Sequence, residues 1–294
     1  MRGANPQLAA ARRTVEFDFQ PTHAMSPASV AAVAEEIIAL HDAPRIVPPF
    51  SARYPDLDAP QGYAAARALH AHRLAQGWRP VGRKIGFTNR AIWPRYGVYE
   101  PIWGHVYDRT LIDARAGRAV VPLAGLLQPR IEPEVCFKLK SAPLRGAAVE
   151  ALLEAVEWIA HSIEIVDCAH PGWRFKLGDC TANNGLHAGL VVGTPLPVAA
   201  LRGLADKLPE LQVTLFKADA VVDRGVGANV LDSPLRALAY LVELLARQPE
   251  SPALAAGEIV STGVLTDAHP IAPGETWRTV LEGLPLAGLE VRFT

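Results

Sequence analysis

The chain has 294 residues, half of them apolar and a fifth charged, with 29 basic groups against 30 acidic ones; that length buries an adequate core without staples, and the charge balance gives no reason to expect a nucleic-acid partner. No apolar run reaches the roughly 18 residues of a membrane span, and the N-terminus lacks the apolar centre of a secretory signal. The three cysteines, Cys136, Cys168 and Cys180, are odd in number and lack paired C-x-x-C spacing, which argues against a disulfide framework or structural zinc and for a soluble protein of the reducing cytoplasm.

Residues 1–25, with Arg12 and Arg13 set among alanines and Pro21 after them, show no sustained period and read as a loosely held extension, with Met25 a candidate alternative start. Behind a Ser26 cap, Val30, Val33, Ala34, Ile37 and Ile38 make one helical stripe. A second helix is predicted over 60–76, closed by Gly77, so that residues 26–80 form an N-terminal helical lobe ahead of a strand at 81–88. Over 81–294 short β-type runs dominate, at 131–139, 162–167, 186–192, 211–217 and 289–293. Two helices interrupt them, one predicted over 147–160 from Val149, Leu152, Leu153, Val156 and Ile159, the other over 234–247 from Leu235, Leu238, Ala239, Val242 and Leu245. Strands and helices do not alternate, and 25 prolines with 23 glycines supply many turns, so a mixed α+β roll is expected rather than a doubly wound α/β sheet.

The most informative segment is Gln128-Pro-Arg-Ile-Glu-Pro-Glu-Val-Cys-Phe-Lys-Leu139. As a strand it puts Ile131, Pro133, Val135, Phe137 and Leu139 on one face and Glu132, Glu134, Cys136 and Lys138 on the other. Adjacent carboxylates repel unless a cation or solvent intervenes, so the pair is either a metal site or an exposed strand face, and alone the exposed face is the ordinary reading. Glu164 shifts the balance: it lies between two isoleucines in Ser162-Ile-Glu-Ile-Val-Asp167, on a strand that wants a core. Three hard oxygen ligands, with positions left for water and substrate, suit Mg²⁺ or Mn²⁺ rather than zinc or iron. Three negative charges exceed the metal's two, and Lys84, in Gly82-Arg-Lys-Ile-Gly-Phe-Thr88, is the candidate neighbouring cation, the alternative being a snorkelling surface lysine.

Other candidates are weaker. Ser261 and Thr262, before Gly263, present hydroxyls to a substrate carboxylate or form an ordinary turn, and Lys176 is a further anion-binding candidate. His161, His170 and His187, with Cys168 and Cys180, match no usual ligand spacing and are assigned core or surface roles.

Gly82-Arg-Lys-Ile-Gly-Phe-Thr-Asn89, Gln128 to Glu134, Glu157-Trp-Ile with Ile163-Glu-Ile-Val166, Asp179 with Ala182 and Asn184, Leu231-Asp-Ser-Pro-Leu235, Ala256 to Leu265, Ala272-Pro-Gly-Glu275 and Leu289-Glu-Val-Arg-Phe293 follow one another in this order. Together they resemble the hydratase and decarboxylase branch of the fumarylacetoacetate hydrolase superfamily, over nearly everything after Ser26. The resemblance implies a homo-oligomeric β-roll of the fumarylacetoacetate hydrolase type. It also implies Mg²⁺ (or Mn²⁺) on Glu132, Glu134 and Glu164, a catalytic or substrate-binding Lys84, and a small 2-oxo acid substrate. The chain departs from the hydratases at Pro101-Ile-Trp-Gly104, where they carry an aspartate at the position of Ile102 and decarboxylases carry a similar Pro-Ile-aromatic-Gly. Asn183 likewise stands where aspartate is usual.

A 2-oxo acid offers a metal its carboxylate and C2 oxygen, and the metal favours the enolate shared by hydration and decarboxylation. Hydration also needs a positioned base, for which Asp179, Glu100 and Asp108 are candidates that serve equally as caps or loop carboxylates. Decarboxylation activates no water, and Ile102 would desolvate the leaving carboxylate. Hydration of a dienoate is the leading sequence reading. Decarboxylation comes next, then acylpyruvate C–C hydrolysis, for which no convincing His–Glu dyad is found, then keto-acid binding without turnover. Arg95, Arg130 and Arg174 are candidate readers of a second carboxylate.

Overall fold

The computed structural model describes residues 25–248 and 250–294, so the extension expected over 1–25 lies, apart from Met25, outside the described residues. Helix α1 (Pro27–Asp42) starts where Ser26 Oγ accepts the Ser29 N–H at 3.2 Å. Helix α2 (Ala59–Ala75) starts under a capping box in which Asp58 accepts from the Gln61 N–H and Gln61 from the Asp58 N–H. Val33, Ile37, Leu40, Ala65 and Leu69 from these helices share one apolar cluster with Phe50, Ala169 and Ala182. The turns α3 (Trp93–Tyr96), α4 (Leu177–Ala182) and α5 (Leu204–Lys207) are short. Helix α6 (Pro234–Ala246) begins at a Ser233 cap and buries Leu235, Leu238, Leu241 and Leu245.

The strands in chain order are β1 (Pro80–Gly86), β2 (Ile102–Tyr107), β3 (Leu111–Asp113), β4 (Arg118–Val121), β5 (Arg130–Leu139), β6 (Val156–Val166) and β7 (His187–Val192). They continue as β8 (Leu196–Pro197), β9 (Gln212–Lys217), β10 (Ala220–Val226), β11 (Ile259–Ser261), β12 (His269–Pro270), β13 (Thr276–Glu282) and β14 (Glu290–Phe293). A nine-stranded mixed sheet runs β2-β1-β11-β5-β6-β7-β3, with β12 on β5 and β8 on β6; a second sheet runs β10-β9-β13-β14-β4. This is the α+β architecture expected. The apolar face of β5 spans two cores, because Ile131 packs with Ile163, Trp277 and Phe293 while Val135, Phe137 and Leu139 pack with the leucines of α6.

The helix predicted over 147–160 does not form. A 3₁₀ segment covers Val149–Ala155, and β6 begins at Val156, well before the expected 162. Val149, Leu152, Leu153, Val156 and Ile159 satisfy a helical period, yet from Ile159 to Val166 every residue is buried on both faces of a central strand, and that continuous run overrides the period.

Candidate functional site

Strands β5 and β6 pair antiparallel with Glu132 opposite Glu164 and Glu134 opposite Ser162. This register gathers Glu132, Glu134 and Glu164, whose nearest carboxylate oxygens all lie within 4.8 Å of one another. On the other side of β5 comes β11, with Ser261 opposite Cys136, and beyond it β1, with Lys84 opposite Ser261. Lys84 is 3% exposed; its Nζ lies 3.1 Å from Glu164 Oε2 and donates to the Gly185 carbonyl at 2.9 Å. Asn184, Gly185 and Leu186 hold φ of 50°, 63° and 63°, three consecutive left-handed residues that turn this carbonyl toward the lysine.

Each glutamate is held differently. Glu134 Oε2 accepts from Ser261 Oγ at 2.5 Å and from the Gly263 N–H at 2.9 Å, while its Oε1 is buried without a partner. Glu164 Oε1 accepts from His187 Nδ1 at 2.7 Å, and no hydrogen bond completes its buried Oε2. His187 Nε2 in turn meets Thr110 Oγ1 at 2.9 Å. Burial holds His187 below its ordinary pKa, so the neutral ring donates from Nδ1 and accepts at Nε2.

Burial, then the charges of Glu164 and Glu132, push Glu134 well above the usual carboxylate range. Burial raises Glu132 to about 7 even with Lys84 opposing it. For Glu164 burial acts upward too, but Lys84 and His187 overcome it and hold the group below its ordinary value. Burial alone would lower Lys84, and the three glutamates outweigh it, so the ammonium persists. Three clustered carboxylates, one with a buried oxygen that nothing meets, and a single neighbouring ammonium are short of positive charge. The all-oxygen donor set fits a hard divalent cation.

Beside Lys84 and Glu132 opens a cavity of about 60 Å³, walled by Phe87, Tyr96, Ile102, Trp173, Phe175 and Leu186. Ile102 is 1% exposed. A Cβ added at Gly86 would lie 3.1 Å from Ile102 Cγ1 and 3.4 Å from Lys84 Nζ, so the two side chains adjoin. Among the described residues the one carboxylate outside the triad lining this cavity is Asp267, which is ion-paired with Arg95 at 3.0 Å. Tyr96, Trp173 and Phe175 also wall a neighbouring cavity of about 420 Å³ lined by Arg95, Arg130 and Arg174. The structure thus brings together three arginines whose sequence spacing gave no sign of it; Arg130 stacks 4.2 Å from the Trp173 ring centroid.

The remaining predicted residues take other positions. Ser261 is spent on Glu134, and Thr262 Oγ1 donates to the Val135 carbonyl at 2.8 Å, so these hydroxyls brace β5 and its carboxylate rather than line the cavity. Asp179 is fully buried, but its oxygens accept from the Ser51 N–H and Oγ and from the Lys176 N–H, capping α4 and clamping the 50–52 turn. The Lys176 side chain is exposed and does not line the cavity. Asp108 is taken by Arg79 at 3.0 Å, and Glu100 lines a different cavity that also touches Ile102. Asn183 Oδ1 accepts from His41 Nε2 at 2.8 Å, away from the triad. Sequence reasoning missed His187 as the holder of Glu164; the two lie on neighbouring paired strands but 23 residues apart in the chain, and no local spacing announces the contact.

No protein-family profile matches the chain. It is 34% identical over 218 residues to a 4-oxalocrotonate decarboxylase of Pseudomonas sp., covering 74% of this chain and 81% of that one. It is 30% identical to a 2-hydroxyhexa-2,4-dienoate hydratase of Comamonas testosteroni, over 84% of this chain and 91% of the relative. Among solved structures, the 4-oxalocrotonate decarboxylase of Pseudomonas putida G7 complexed with magnesium and adipate superposes with a TM-score of 0.83 at 27% identity, covering 93% of this chain and all of that one.

Proposed function

The chain belongs to the hydratase and decarboxylase branch of the fumarylacetoacetate hydrolase superfamily, and on that premise we propose that it is a Mg²⁺-dependent decarboxylase of an unsaturated 2-oxo dicarboxylic acid of the 4-oxalocrotonate type. The observation that carries this reading is the cavity wall: Ile102 stands beside Lys84, and among the described residues the one lining carboxylate outside the triad, Asp267, is taken by Arg95. Glu132, Glu134 and Glu164 would hold the cation, which when bound supplies a Lewis acid for the carboxylate and C2 oxygen of an oxo acid.

The other tasks fall to the chain's own groups. The Lys84 ammonium has three N–H donors; one is spent on Gly185 and one faces Glu164. The third is free for negative charge gathering at the C2 oxygen. In decarboxylation the bond between the distal carboxylate and its methylene carbon breaks and CO₂ leaves. The electron pair runs through the conjugated double bond to the C2 oxygen, and a solvent proton completes the 2-hydroxydienoate. Ile102 strips water from the departing carboxylate and so favours neutral CO₂ over the anion. Arg130 and Arg174 give the neighbouring cavity a positive field that draws in a dianion.

Hydration, first in the sequence reading, stays the alternative, supported by the 30% identity to the Comamonas hydratase. We take the enzyme to be cytoplasmic, in keeping with three buried free thiols, and homo-oligomeric, in keeping with Val221, Val222 and Val226 exposed along edge strand β10. The division into a helical lobe over 26–80 and a catalytic β-roll over 81–294 is supported by one apolar cluster made mostly of residues from 33–69, to which Ala169 and Ala182 of the roll also contribute.

The test is an ultraviolet time course with Mg²⁺ on 4-oxalocrotonate and, separately, on 2-hydroxypenta-2,4-dienoate, with CO₂ trapped and a Glu134→Ala control. CO₂ from the first, with the second left unhydrated, is expected. Loss of the dienoate absorbance without CO₂ release from 4-oxalocrotonate would replace decarboxylation by hydration.

A further inference from the structure

His187, the residue that holds Glu164, also lines a second cavity of about 310 Å³, together with His41, Arg73, Trp78, Asp167 and Asn183. Arg73 is 4% exposed. Its NH2 donates to His41 Nδ1 at 3.0 Å, and its guanidinium lies 5.0 Å from the Trp78 ring centroid and 4.7 Å from that of Tyr107. Its NH1 is buried without any hydrogen-bond partner, and no aspartate or glutamate among the described residues forms an ion pair with it. A guanidinium cannot shed its proton, so burying one beside a void, without a counter-charge, carries a desolvation cost that an anion in that void would offset.

The surroundings select the kind of anion. The His41 ring accepts from Arg73 at Nδ1 and therefore donates from Nε2 to Asn183 Oδ1, which leaves the two amide N–H donors of Asn183 without a protein acceptor among the described residues. Asp167 does not compete for Arg73, since its oxygens accept the Leu127 and Gln128 N–H groups. Its charge nevertheless disfavours a second negative charge nearby. One unpaired guanidinium, a free amide and an aromatic face suit a small monoanion with planar oxygens.

We propose that this cavity is a second binding site, for a small organic monocarboxylate, with the Arg73 guanidinium as its counter-charge and the Asn183 amide as its donor, separate from the glutamate triad. The site does not depend on which reaction the triad serves. Its occupant lies one side chain, His187, away from Glu164.

Isothermal titration of the full-length protein without added metal, using acetate and pyruvate as probes, tests the assignment. Binding is expected in the wild type and, within about twofold, in Glu134→Gln. Arg73→Gln is expected to raise Kd at least tenfold, since it removes the counter-charge. If Arg73→Gln does not fold, Asn183→Asp decides: it keeps the size of residue 183, sets a permanent carboxylate in the cavity, and is expected to weaken binding by a similar factor. Binding of pyruvate alone would assign the site to oxo acids, and binding of both probes to carboxylates generally. The proposal is overturned if neither probe binds at tens of millimolar, if Glu134→Gln abolishes binding while the Arg73 and Asn183 variants keep it, or if chloride displaces the probes at equal concentration.

Discussion

Replacing Ser261 by alanine removes one oxygen atom from a fully buried position and leaves Glu134 Oε2 with the Gly263 N–H as its sole donor. The lost bond is charge-assisted and short, 2.5 Å, and such bonds contribute about 1.5–3 kcal/mol. Burial and the neighbouring glutamates already push Glu134 above the usual carboxylate range, and the Lys84 charge, then the Ser261 hydrogen bond, oppose them. Without that hydrogen bond the proton competes better for Glu134, and a divalent cation should bind about ten- to a hundredfold more weakly near neutral pH. Thr262→Ala is the internal control, because its hydroxyl donates to a main-chain carbonyl and not to the triad. Titrating Mg²⁺ calorimetrically into both variants separates the effects: Ser261→Ala should shift metal affinity, and Thr262→Ala should cost only about 1 kcal/mol of stability. An unchanged Mg²⁺ affinity in Ser261→Ala, with KM alone raised, would refute the bracing role and return Ser261 to substrate binding.

Ile102→Asp sets a carboxylate beside Lys84 and should slow CO₂ release from 4-oxalocrotonate at least tenfold, measured by trapping; an unaltered rate would show that the apolar wall does not matter. Gly104→Ala drives a Cβ to 2.2 Å from the Asn184 carbonyl oxygen and 2.8 Å from its carbon, a backbone collision worth more than about 2 kcal/mol, so denaturant unfolding should show a marked loss of stability. Burial first, then the Arg73 charge, lowers His41 from 6.5 to about 4. The unfolded ring therefore binds a proton that the folded one refuses, and stability present above about 6.5 is lost as pH falls toward 4. The full shift caps the effect at about 3 kcal/mol, and the part-exposed ring brings the working figure to about half of that. Unfolding of His41→Gln should be flatter over this pH window, and an identical acid slope would refute the assignment.

The triad was legible because strand alternation fixes which side Glu132 and Glu134 share, and because a carboxylate between two isoleucines demands a reason. Lys84 and Ile102 came from motif wording, and the structure seats both on one cavity wall. What stayed hidden depends on sheet order. Ser261 faces Glu134 only because β11 docks against β5, and His187 reaches Glu164 only because β7 pairs with β6. Asp179 carries the same side chain whether it acts as a base or a cap; the Ser51 contacts decide, and 128 residues separate the two. The misread 147–160 segment shows the same limit in one dimension, since its apolar positions satisfy a helical period and burial on both faces then makes the second half a strand.

The acceptor that anchors Lys84 is a main-chain oxygen, presented by three successive left-handed residues. Such an anchor is inherited as a shape rather than as a letter. A side chain at 185 does not remove the carbonyl, but any Cβ there lies 3.3 Å from Lys84 Cδ on a left-handed backbone that favours glycine, and so disturbs the turn that presents it. Comparisons that score residue identities are blind to it. A one-residue insertion or deletion between 183 and 187 would take this acceptor from the lysine and shift Leu186 on the cavity wall while leaving all three glutamates in the sequence.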